Sequence, residues 1–116
     1  MHVVTFDKAP AYSAAGHVDM AMRRLQGLEA GPSDSVWIGC SELAPGAGTT
    51  SSASSVEKFY ICLEGEVHIT ASQHGRSETV LLRSLDSCRI AAGESRQLSN
   101  SSQLPARLLL VMPHRT

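Results

Sequence analysis

The chain has 116 residues, 42% of them apolar and 18% charged, with 10 Lys and Arg against 11 Asp and Glu. That length accommodates one core and not two, the composition is that of a folded globule, and the balanced charge excludes a global basic field for nucleic acid or an anionic membrane. The opening MHVVTFDKAP has no long apolar run behind a basic head, and no stretch approaches the ~20 apolar residues of a spanning helix, so a cytoplasmic location is expected.

In chain order, short apolar segments alternate with turn chemistry: Val3–Phe6, Met20–Leu25, Val36–Leu43, Phe59–Leu63, Val67–Ala71, Thr79–Leu82, Cys88–Ile90 and Leu108–Met112. This cadence predicts an all-β sandwich or barrel. Val18–Leu28 is the best helix candidate, but Gly27 near its end and Arg23-Arg24 in mid-face interrupt any apolar stripe, and it is read as a strand. Arg23 and Arg24 alternate faces there, so at most one points inward, and the sequence does not choose. The run TTSSASS at Thr49–Ser55 resembles low-complexity sequence; as a linker it would cut the domain into two unviable pieces, so it is placed on the barrel rim and the first inward strand. Glu64-Gly65 supplies the glycine of a tight two-residue hairpin between Phe59–Leu63 and Glu66–Ala71. Gln73 to Ser77 reads as an exposed hairpin loop, and Ser99 to Pro105 as a loop before the last strand. Leu108–Met112 is apolar throughout and is expected to be covered on both faces, by core or by a dimer seam. His114-Arg115-Thr116 is a polar tail. Cys40, Cys62 and Cys88 form no CxxC pair and lie in apolar stretches, as buried reduced thiols do.

Two spacings run through the middle of the chain without an insertion. Gly46, Ser52, Ser54, Lys58 and Gly65 fall on the pattern G(X)5HXH(X)3,4E(X)6G, and Leu85, Ala91, Gly93, Arg96 and Asn100 fall on G(X)5PXG(X)2H(X)3N. On this spacing the chain resembles the small single-domain cupins over Gly46 to Asn100, about half its length. The resemblance implies a double-stranded β-helix, a jelly-roll barrel, with an N-terminal strand arm over about 1–30 and the barrel over about 31–113. It also implies a pocket where both motifs converge. At the four positions where the family holds its metal, this chain has Ser52, Ser54, Lys58 and Arg96. Hydroxyls, an ammonium and a guanidinium are poor partners for a divalent cation, so neither a metal nor another cofactor is expected. The five histidines are scattered and form no HxH pair; His17, at the start of the Val18–Leu25 segment, is the one placed to reach the barrel mouth.

If Lys58 points where the family's glutamate points, strand alternation brings Tyr60 and Cys62 into the interior with it. With Arg96, Ser52, Ser54 and Asn100 converging as the resemblance implies, the natural occupant is a small carboxylate-bearing molecule, bound by a planar guanidinium fork, a mobile ammonium and hydroxyl donors. A lysine near a second cation in an apolar pocket is favoured in its neutral form, which can act as a base or nucleophile, while Tyr60 can donate a proton or stabilise an oxyanion. The expectation is therefore a metal-independent protein that binds a small anionic metabolite, with acid–base isomerase or lyase chemistry by Lys58 and Tyr60. Two rivals stay open: a non-catalytic sensor or accessory protein, and a metal-dependent dioxygenase or isomerase with other ligands. Apolar edge segments, Val3-Val4 and Leu108–Met112, point to a homodimer, as is common among small cupins.

Overall fold

Burial with a period of two runs through most of the apolar segments, and in the computed structural model, which describes residues 1–114, they form ten strands. These are β1 (Ala11–Tyr12), β2 (His17–Gln26), β3 (Val36–Thr49), β4 (Ser52–Ala53), β5 (Lys58–Glu64), β6 (Val67–Gln73), β7 (Arg76–Leu82), β8 (Ser87–Ile90), β9 (Ser95–Ser99) and β10 (Ala106–Pro113). All pairings are antiparallel, in the order β7-β6-β9-β3-β10-β5-β8, with β2 and then β1 added beside β3 and β4 beside β9. The result is a double-stranded β-helix.

β3 joins the two layers. Its first part pairs with β10 and its far end with β9 at Gly48, while β2 runs along both parts on the other side. The change of partner falls at Pro45-Gly46, where Gly46 has φ +83° and donates its N–H to the Asn100 carbonyl. Between the layers lies one core, built on Leu43, Tyr60, Cys62, Val67, Ile69, Leu82, Ile90, Leu98 and Leu108.

Two sequence expectations need correction. Val3–Phe6 is not a strand: a single 3-10 turn covers Phe6–Lys8, and Arg23 holds this arm by donating from Nη1 to the carbonyls of Phe6, Asp7 and Ala9 at 3.0, 3.4 and 3.2 Å. A side chain thus satisfies carbonyls that a strand would give to a neighbour. Glu64-Gly65 is a turn with φ +72° at Gly65, but β5 and β6 do not pair; β5 lies between β10 and β8, and β6 between β7 and β9. The glycine turns the chain from one layer to the other, with its Cα hydrogen against the Pro105 carbonyl, where a Cβ would sit 2.6 Å from the oxygen. The two-residue hairpin is instead His74-Gly75, both at positive φ, between β6 and β7. Within the single chain Leu108–Met112 is covered unevenly: β10 sits mid-sheet between β3 and β5, with Leu108 1% exposed while Leu109 and Val111, on its outer face, are half-buried. Arg115 and Thr116 of the polar tail lie outside the described residues.

Candidate functional site

The barrel interior holds a cavity of about 210 Å³, roughly seven waters' worth of space at ~30 Å³ each. Strand alternation decides what lines it. From β5, Lys58 and Tyr60 point inward and are 4% and 2% exposed, while Phe59 between them faces out. β9 contributes Arg96 and Leu98, and β10 contributes Leu110 and Met112. Trp37 and Ser41 come from β3 at even spacing, with Gly39 between them. A Cβ on Gly39 would lie 2.9 Å from the Tyr12 hydroxyl and 3.0 Å from the Trp37 ring, so glycine is what lets those two aromatics close the mouth.

β2 contributes Met20, Met22 and Arg24, which share one face. His17 lines the cavity too, although it is three residues from Met20. The pairing with β3 shifts register between Val18 and Met20, with Asp19 at φ +55°, and this break in the alternation turns His17 to the cavity. His17 Nδ1 lies 2.9 Å from the Ala15 carbonyl, which can only accept, so Nδ1 is the donor in this hydrogen bond. A wider hollow of about 680 Å³ beside the β6–β7 hairpin is lined by Gln73, His74, Arg76 and Glu78 on the open surface, outside this interior.

Arg96 organises the inner end. It is 7% exposed, and its Nε donates to the Tyr60 hydroxyl at 2.8 Å. Its Nη1 donates to Thr49 Oγ1, the Thr50 carbonyl and Ser52 Oγ at 3.1, 3.2 and 3.3 Å. Every one of these acceptors is neutral, and none of the salt bridges among the described residues involves Arg96. The Nη2 group takes part in none of the four bonds. Tyr60 accepts from Arg96 and so keeps its own O–H to donate. Burial pushes the Tyr60 phenol above its ordinary value, against a smaller downward pull from Arg96, so it is a neutral phenol at physiological pH.

The six residues singled out by motif spacing fall in three places. Lys58, Tyr60 and Arg96 line the cavity. Ser52 stands at the rim, paired across β4–β9 with Arg96, and its hydroxyl accepts from that guanidinium. Ser54 and Asn100 are turned to structural work away from the cavity lining. Ser54 Oγ donates to the Val56 carbonyl at 2.7 Å, and the Ser54 carbonyl receives the Gly93 N–H. Asn100, fully buried, donates from Nδ2 to the carbonyls of Leu43, Ala44 and Leu104 and accepts at Oδ1 from Ser102, which pins the loop before β10. Sequence reading missed Tyr12, Trp37, Ser41 and Thr49; the alternation of Trp37, Gly39 and Ser41 is the signal that finds two of them, Trp37 and Ser41.

The carboxylates near Arg96 in sequence, and those flanking β5, have partners of their own. Glu57 pairs with Arg89, Glu42 and Glu64 with Arg107, and Glu94 accepts the Ala91 N–H. Among the described residues no three His, Cys, Asp or Glu side chains come together to hold a metal ion. The donor set at the family's four ligand positions, two hydroxyls, an ammonium and a guanidinium, does not fit a divalent cation. Among the described residues no helix is long and apolar enough to cross a membrane.

Against known proteins, the chain is 35% identical over 114 residues to the Mycobacterium tuberculosis (strain ATCC 25618 / H37Rv) protein named Beta-D-galactosidase Rv1717, a match covering 98% of this chain and 95% of that one. No family model matches. Among solved structures, the polyketide cyclase RemF from Streptomyces resistomycificus superposes with a TM-score of 0.80 at 23% identity, covering 97% of this chain and 79% of that one. A sugar phosphate isomerase of the cupin superfamily from Silicibacter pomeroyi gives 0.77 at 18% identity, covering 97% and 75%. The cupin domain of Schizosaccharomyces pombe Cnp3 gives 0.73 at 13%, covering 96% and 72%. At these identities the structural likeness speaks for the fold alone.

Proposed function

The chain belongs to the cupins, in the same family as the mycobacterial relative, and from that premise we propose that its barrel binds a small carboxylate-bearing metabolite without a metal, with Lys58 and Tyr60 as the acid–base pair acting on it. The carrying observation is Arg96: a guanidinium 7% exposed, bonded to neutral acceptors through Nε and Nη1, with Nη2 remaining for a ligand. A buried cation without a counter-charge is costly, and a bound carboxylate removes that cost. The cavity volume suits a small molecule and not a polymer. In the isomerisation of an α-hydroxy carbonyl compound, the Lys58 amine takes the proton from the hydroxyl-bearing carbon while the Tyr60 O–H supports the developing oxyanion; the enediolate regains that proton at the former carbonyl carbon, and the hydroxyl proton passes to the former carbonyl oxygen.

Two measurements test this reading. Thermal melts with acetate, lactate and pyruvate should show a concentration-dependent rise in Tm that Arg96→Met removes. Metal analysis of the purified protein should find Zn, Fe, Mn and Ni well below one per chain; a near-stoichiometric metal that survives chelation would sink the metal-free part.

The name of the mycobacterial relative supports a second reading, a β-galactoside as ligand or substrate. Glycoside hydrolysis ordinarily uses two carboxylates flanking the bond, and the cavity lining contains no Asp or Glu among the described residues. The acid reading therefore comes first. Hydrolysis of a nitrophenyl β-D-galactoside that disappears in Lys58→Met and Tyr60→Phe would reverse the order.

A further inference from the structure

Arg24 stands at the other end of the same cavity. Its guanidinium carbon lies 3.5 Å from the Tyr12 ring centroid and 4.3 Å from that of Trp37, so the fork is held in the corner between two rings that stand at 85° to each other. It lines both the inner cavity and the outer depression bounded by Leu28, Pro113 and His114, which puts it in the wall between interior and solvent. Its side chain is 15% exposed, and its Nε edge bonds Glu29 at 2.9 Å, a carboxylate 56% exposed on the turn after β2. Solvent at Glu29 weakens that pair, whereas stacking has already restricted the arginine. The same cavity is lined by the apolar side chains of Met20, Met22, Leu98 and Leu110, beside the polar ones of His17, Ser41, Lys58 and Tyr60.

We propose that Arg24 is a second anion-recognition residue, and that the ligand is a small diacid with one acidic group against Arg96, the other against the Arg24 fork, and a short aliphatic stretch between them. This rests on the carboxylate reading above and narrows its ligand class. Arg24 receives the outer carboxylate through terminal N–H donors at the mouth, and the methionines take the methylenes. Because the fork is immobilised before binding, little of its freedom remains to be lost when the diacid arrives.

The test is calorimetric titration of wild type, Arg24→Gln and Glu29→Gln with acetate, succinate and glutarate. In wild type the better diacid should bind about tenfold or more tightly than acetate. Arg24→Gln should reduce the diacid to the acetate level while leaving acetate unchanged, and Glu29→Gln, on an exposed turn that does not build the barrel, should tighten the diacid alone. Trp37, the chain's single tryptophan, should change its fluorescence with diacid and not with acetate. Equal affinities of wild type for acetate and both diacids, or an equal loss for all three in Arg24→Gln, would overturn the role of Arg24. Acetate binding that depends on Arg96 with no gain from a second carboxylate defeats this inference alone, and no binding by any acid defeats the carboxylate reading with it.

Discussion

At the scale of single residues, Arg96 and Tyr60 act as one unit, and their substitutions separate recognition from stability. Arg96→Met should abolish the carboxylate-dependent rise in Tm and lower the stability of the free protein by about 1–2 kcal/mol, since the Tyr60 hydroxyl and Thr49 lose a donor while a buried charge is relieved. Thr49 Oγ1 still accepts the Leu98 N–H, which limits the loss. Tyr12, Tyr60, Cys40, Cys62 and Cys88 all have raised pKa values with burial as the first cause. Each holds its proton more tightly folded than unfolded. Their contribution is fully present below the ordinary thiol value of 9.0 and phenol value of 10.0, and is lost as pH rises through the folded values. Chemical denaturation at increasing pH should show stability declining from about pH 9 upward, and tyrosinate absorbance should report a late-ionising phenol. Arg96→Met should delay that phenol further, because it removes the cation that pulls the pKa of Tyr60 down.

Elements show how a motif's backbone persists where its letters change. Leu85 occupies the position of a motif glycine, and it keeps a left-handed φ of +70° with its side chain 77% exposed. A β-carbon there costs roughly 1–2 kcal/mol and, so exposed, recovers little by burial. Leu85→Gly should therefore stabilise the protein by about 1 kcal/mol in urea unfolding, less if glycine's freedom in the unfolded chain offsets part of it. Gly65 is the opposite case. Its φ of +72° and the Pro105 carbonyl 2.6 Å from a would-be Cβ make Gly65→Ala destabilising by about 2 kcal/mol or more. The carboxylate response should survive in both variants, since neither residue lines the cavity.

For the whole molecule, a homodimer is the expected state, and the outer face of β5 and β10 is the surface on which it is tested. Phe59, 39% exposed, is paired with Val111, and Ile61 with Leu109, so an apolar patch crosses both strands. Ion pairs of both signs flank it, Arg89–Glu57 on one side and Arg107 with Glu42 and Glu64 on the other. Such a patch is suited to meeting itself across a two-fold axis. Light scattering should give twice the chain mass at micromolar concentration, and Phe59→Glu should give the monomer without disturbing acid binding inside the barrel. A monomeric wild type would mean that the half-buried Leu109 and Val111 are tolerated at the surface.

The sequence by itself determined seven of the ten strands, β2, β3, β5, β6, β7, β8 and β10, and, through unbroken motif spacing joined to strand alternation, the family and the inward set of Lys58, Tyr60 and Arg96. Both follow from periodic rules: a strand turns every second side chain inward, and a turn needs its glycine wherever its ends lead. Tertiary structure decided what periodicity cannot encode. Glu64-Gly65 was legible as a turn, but whether it joins neighbours or crosses between layers depends on which strands lie beside β5 and β6. Parity placed Arg23 and Arg24 on opposite faces, but only the packing of β2 against β3 sends Arg24 to the cavity and Arg23 to the N-terminal arm. His17 entered by way of the register shift at Asp19, a local break in the period. Ser54 and Asn100 went to structural hydrogen bonds, because a buried polar group takes the nearest partner and that partner is set by strands distant in sequence.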